Sequence, residues 1–267
     1  MKIFIIHYDK LVERKLYMEK QLIDQGISAE WYIQKESEPY SQSEIDKYYK
    51  YDVQEWKKKT AEINANLIYR RLGHHEISLL INHLKILEKI KIGYDDYALV
   101  LEDDAIFEEE FTEILKTIEE LIKQIKWDIC YLDWGYESAP FFNDYTIIEE
   151  RLDEHSWGTG AYIVSKDVAN LLVSKHKQAH LAIDEELKYR IRDLGLKAIW
   201  IAPGVIKQGS LIELYPSIID SDREKTGIKK YLYWRKTIYR FLESNKIDWL
   251  LKPLEGFEAY LKKLLLK

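Results

Sequence analysis

Three short runs, IFII (3–6), ALVL (98–101) and AIWIA (198–202), are apolar at every position, and each is flanked by polar, charged or proline residues. A strand of that kind has no face to give to water, so it needs cover on both sides, as strands of a parallel sheet sandwiched by helices have. Helical patterns lie between them. The spacing predicts strands over 2–7, 29–34, 97–101, 128–133 and 197–202, with a turn and strand over 158–165. It predicts helices over 11–26, 76–92, 108–126, 166–175 and 184–194. Strand, helix and strand within the first 34 residues form a βαβ unit, and the alternation continues. The expected fold is a single Rossmann-like α/β domain with a mostly parallel central sheet over 1–210 and a C-terminal helical basic extension over 211–267.

Two stretches break the pattern. Residues 35–72 carry Pro39, many tyrosines and alternating charge, as in KYYKY and WKKK, and read as an inserted, partly helical segment. Its tyrosines either line a sugar groove or pack a small satellite cluster. The last forty residues, 228–267, hold ten Lys/Arg against four Asp/Glu, whereas the whole chain has a net charge of −6. An acidic body disfavours a nucleic-acid binder. The basic, aromatic tail either lies on an anionic membrane surface or packs its aromatic face on the domain.

Nothing approaches the run of about eighteen apolar residues that a membrane span needs, and the apolar core of MKIFIIHYDK is too short for a secretory signal. The expectation is a cytoplasmic protein, peripheral at the inner face of the cytoplasmic membrane if the tail binds it. Cys130 is the sole cysteine, which leaves no disulfide framework and no cysteine zinc site.

The chemistry concentrates in YALVLEDDAIF (97–107), where Glu102, Asp103 and Asp104 follow an apolar strand. Desolvation and mutual repulsion oppose such a run. In open α/β sheets ligands bind beyond the carboxyl ends of strands, and a divalent cation there would offset the repulsion. Hard oxygen donors suit Mg²⁺ or Mn²⁺, with a substrate diphosphate completing the shell. The competing reading is an acidic cap on the next helix, begun by Asp104. An aspartyl-phosphate nucleophile motif is absent, and the only glycine of the first thirty residues is Gly26, which leaves no glycine-rich loop for a nucleotidyltransferase.

LVLEDDAIF, preceded by HHEISLLINHLKILEKI and followed by WDICYLDWG, GTGAYIVS and AIDEELKYRI, resembles glycosyltransferase family 25. That family includes bacterial lipooligosaccharide galactosyl- and glucosyltransferases and collagen β-galactosyltransferases. The blocks occur in family order across 2–210, and the C-terminal region lies outside the likeness. The resemblance implies a GT-A-type fold and a metal-dependent, inverting transfer of galactose or glucose from a UDP-sugar to a glycan acceptor, with Mn²⁺ or Mg²⁺. It puts Glu102 and Asp103 at the donor with His7, Arg14, Gly158, Thr159 and Gly160. It makes Asp104 the foremost metal ligand, with Glu102 a second one that lies nearer the ribose and Gln208, in PGVIKQGS, as the nearest late ligand.

The resemblance also implies a general base at Asp184, for which helix capping is the alternative, and a catalytic part for His83. Read from the residues alone, His83 lies beside Leu80 and Leu87 as a core histidine. Glu76 matches a family glutamate or simply charges a helix start. Asp153, Glu154, His155 and Ser156 form an acceptor-facing run or an exposed loop. Where the family has serine this chain has Asn82, and with the missing late histidine this leaves a second reading: a non-catalytic relative docked on a membrane or a glycan-assembly partner.

Overall fold

The computed structural model describes residues 1–65, 67, 69–133, 145–149, 158–175, 177–210, 212 and 214–215. The chain divides into two compact units, Met1–Pro216 and Ser217–Lys267. All described residues belong to the first; the basic tail and the 153–156 run lie outside the described residues. No helix among the described residues is long and apolar enough to cross a membrane.

In chain order the elements are β1 (Lys2–Tyr8), α1 (Val12–Asp24), β2 (Glu30–Gln34), α2 (Gln42–Tyr48), α3 (Val53–Glu62), α4 (His74–Ile92), β3 (Tyr97–Glu102) and β4 (Ala105–Phe107). They continue with α5 (Phe111–Ile122), β5 (Ile129–Tyr131), β6 (Thr146–Glu149), β7 (Ala161–Ser165), α6 (Lys166–Ser174), α7 (Ile183–Asp193), β8 (Ala198–Ala202) and β9 (Ile206–Gln208). The main sheet has the order β2-β1-β3-β7-β5-β8-β6. Strands β2, β1, β3, β5 and β8 run one way; β7, between β3 and β5, and β6, at the edge, run the other way. The sheet is mixed and mostly parallel.

The all-apolar runs behave as their composition requires. Along β1, Ile3 and Ile5 face one core while Phe4 and Ile6 face the other; Leu99 and Leu101 oppose Ala98 and Val100 in the same way on β3. One core is closed by α4, α6 and α7, the other by α1 and α5. Helix α4 is buried over most of its circumference, which accounts for ten buried residues among its nineteen. Cys130 is fully buried, and burial pushes its thiol pKa up, so it serves as a small core residue.

The 35–72 segment is partly helical, as expected, with α2 started by a Ser41–Glu44 capping box and α3 by the Asp52 carboxylate. Three elements escaped the sequence reading. β4 and β9 pair with each other, 101 positions apart at Ile106 and Lys207, and β6 joins the sheet edge beside β8.

Candidate active site

Glu102 is the last residue of β3, and Asp103 and Asp104 form the turn into β4. Helix α5 starts at Phe111 with Glu110 as its N-cap, so Asp104 caps no helix and that reading is overturned. The three neighbouring acids face different partners. Asp103 is saturated: its Oδ2 lies 2.8 Å from His7 Nδ1 and accepts the Tyr8 N–H at 3.4 Å, while its Oδ1 accepts from Arg14 at 2.9 Å. It clamps the ends of β1 and α1 to the turn.

Asp104 is buried. Its Oδ2 accepts the Ser210 N–H at 3.2 Å and lies 3.6 Å from the Arg14 guanidinium, whereas Oδ1 has no hydrogen-bond partner among the described residues. Burial, and after it the Glu102 charge, raise the Asp104 pKa against the pull of Arg14. Arg14 also lies over the Tyr215 ring at 5.5 Å, which fixes the guanidinium beside both aspartates.

Glu102 faces the loop before β7. Thr159 Oγ1 lies 2.9 Å from Glu102 Oε1 and 2.6 Å from Asp184 Oδ1. A hydroxyl carries one proton, so Thr159 donates to one carboxylate and sets its oxygen against the other. Asp184 is half-buried in the first turn of α7, whose N-cap is Ala182; helix capping by Asp184 is therefore overturned as well. His83 is fully buried on α4, with Nδ1 3.0 Å from Tyr162 Oη and Nε2 3.4 Å from Glu102 Oε1. Among the described residues, its contact with the site is the one to Glu102.

Two other sequence candidates have partners within the fold. Glu76 accepts the Gly73 N–H at 2.8 Å at the start of α4 and pairs with Arg70, so the helix-start reading describes it. Asn82 accepts from Tyr40 Oη at 2.6 Å, joining α4 to the inserted segment.

One residue at this sheet end carried no role in the sequence reading. Asp133 follows β5, is 1% exposed and accepts from Gln208 Nε2 at 2.9 Å. Complete burial, then Glu102, Asp184 and Asp104, push its pKa well above the usual carboxylate range. The signal was present: ICYLD repeats the ALVLE pattern of an apolar strand ending on an acid. Gln208, at the end of β9, spends its amide N–H on this carboxylate.

His7, Arg14, Asp103 and Asp104 thus form one linked group and Glu102, Thr159 and Asp184 another, both at the sheet end where β1, β3 and β5 finish and β7 begins. No three His, Cys, Asp or Glu side chains among the described residues are arranged to hold a metal ion by themselves. The donor chemistry nevertheless fits a hard divalent cation, because buried Asp104 and Asp133 each carry one carboxylate oxygen with no hydrogen-bond partner among the described residues. Water and substrate oxygens normally fill most of the shell of such an ion.

Three comparisons with known proteins complete the description. No curated protein matches the sequence. Among solved structures, a Bacillus anthracis protein assigned as a glucose-1-phosphate thymidylyltransferase, in complex with a sucrose, aligns with a TM-score of 0.39 and 14% identity over 78% of this chain and 89% of its own. Mouse xyloside xylosyltransferase 1, in its apo form, aligns with a TM-score of 0.32 and 9% identity over 72% and 81%. Likenesses that loose carry no argument. The sequence profile of glycosyltransferase family 25, described as LPS biosynthesis protein, matches residues 1–187. That span contains every block from β1 to the start of α7, and the chain belongs to glycosyltransferase family 25.

Proposed function

We propose that this family member has a GT-A-type fold and transfers a hexose, galactose or glucose, from a UDP-sugar to a glycan acceptor such as lipooligosaccharide, with inversion at the anomeric carbon. The observation that supports it most is the Glu102–Thr159–Asp184 chain beside Asp104, whose second carboxylate oxygen has no hydrogen-bond partner among the described residues. Asp184 is half-buried and so open to an incoming acceptor, whose hydroxyl proton it takes as the oxygen attacks from the face opposite UDP. Glu102 holds the donor ribose, and His83 orients Glu102. Arg14, fixed between two aspartates and Tyr215, faces the diphosphate. Gly158 and Gly160 let the loop before β7 come close to the donor sugar.

Asp104 would hold Mn²⁺ or Mg²⁺, which neutralises the diphosphate and makes UDP a better leaving group. The reading places the reaction in the cytoplasm, with the basic segment 228–267 against the anionic inner face of the membrane.

UDP release from UDP-galactose and UDP-glucose, with and without Mn²⁺, tests it. The wild type should release UDP only with the cation. Asp104→Ala should lower release about a hundredfold, in line with the loss of one transition-state contact. Its circular dichroism should be unchanged. Release that survives chelation, or Asp104→Ala at full activity, would sink the proposed role of the cation.

A further inference from the structure

Asp133 stands outside the ligand set named so far, and its surroundings are built around it. Gln208 holds Oδ2 at 2.9 Å, and Oδ1 is buried with no partner among the described residues. A Cβ on Gly158 would stand 2.9 Å from Asp133 Oδ2; one on Gly160 would stand 2.6 Å from it and 2.1 Å from Gln208 Nε2. Position 160 has no side chain because the amide and carboxylate fill its place. Between these glycines, the Thr159 hydroxyl reaches Glu102 and Asp184 at 2.9 and 2.6 Å. Asp133 therefore lies against the same three-residue loop whose hydroxyl meets those two carboxylates.

A purely structural partner for Gln208 could be neutral. An acid there brings a second oxygen with no hydrogen-bond partner among the described residues, next to other acids, at a cost in desolvation and repulsion that a cation would remove. Two protein carboxylates completed by water and phosphate oxygens are also what Mg²⁺ and Mn²⁺ commonly take.

We propose that Asp133 is a ligand of the divalent cation through Oδ1, and that Gln208 is a positioning residue that aims it by holding Oδ2. This rests on the cation-dependent reading above. The role of Gln208 is thereby shifted from ligand to support.

The test is the affinity of the full chain for Mn²⁺, alone and with UDP, read from the electron paramagnetic resonance of the free ion. Asp133→Asn keeps shape and removes the anionic oxygen, and should weaken Mn²⁺ binding about tenfold or more. Gln208→Ala should weaken it too, and the double variant should bind no more weakly than Asp133→Asn alone, because both act through one oxygen. Gly160→Ala leaves both partners in the chain but drives a methyl group into Gln208. It should also weaken binding, and it decides the matter if Asp133→Asn does not fold.

Wild-type affinity in Asp133→Asn, or in Gly160→Ala where that variant decides, overturns the proposal and leaves the cation reading standing. A wild type that binds no Mn²⁺, with or without UDP, overturns both.

Discussion

Asp184→Asn is expected to lower the rate of UDP release about a thousandfold, within the range general bases contribute, while KM for the UDP-sugar and the affinity for Mn²⁺ stay close to wild type. The substitution keeps size and leaves an oxygen for the Thr159 hydroxyl at 2.6 Å, so the loop before β7 should not move. What is lost is the capacity to accept a proton at the start of α7. A kcat effect without a KM effect is the mark of an interaction made in the transition state only. An Asp184→Asn enzyme that keeps more than about a tenth of wild-type kcat would remove Asp184 from the role of base.

The second large effect is on stability. Glu186, fully buried on α7, receives Lys59 Nζ from α3 at 2.7 and 3.0 Å, Arg190 Nε at 2.9 Å, and the His180 and Leu181 N–H groups at 3.0 and 3.3 Å. Burial by itself would raise its pKa, but Arg190 and Lys59 outweigh burial and hold it at about 2. Glu186→Gln removes the buried anion that pairs with both Lys59 and Arg190, and such a loss costs about 3–5 kcal/mol. The melting temperature should fall by roughly 10 °C. Pairing it with Lys59→Met should cost far less than the separate losses together, because the two side chains share one contact. Urea unfolding of the four proteins measures this, and a Glu186→Gln chain within about 1 kcal/mol of wild type would refute it.

The same carboxylate sets a pH dependence. Its folded pKa lies below the ordinary value of 4.5, so its contribution is complete above that value and is lost as the pH falls from there through about 2. About 3 kcal/mol of stability should go in that window in the wild type, and Glu186→Gln should lack that component.

Much of this fold is readable along the chain because its strands are covered on both faces, so that IFII, ALVL and AIWIA show as unbroken apolar runs. The acids of YALVLEDDAIF stand out for the same reason, as charges where burial should end. Elements defined by remote partners left no such trace. AIF (105–107) is a three-residue island between two runs of acids, and only pairing with Ile206–Gln208 makes it a strand. Asp104 and Asp184 both had a helix cap as their local alternative, and the positions of Glu110 and Ala182 remove it. Asp133 needed the third dimension most: one acid after ICYL means little until Gly160 and Gln208 close around it.

The reversed strand in the middle of the sheet has a consequence for how the chain is made. β3 has β1 on one side from the outset, but its other edge waits for β7, which is synthesised about sixty residues later. At ribosomal speeds of about 5–20 residues per second that is roughly 3–12 s with a largely apolar strand edge unpaired. Chains stalled between residues 107 and 160 should therefore be the ones that chaperones hold and that aggregate, and release should come once AYIVS has left the ribosome.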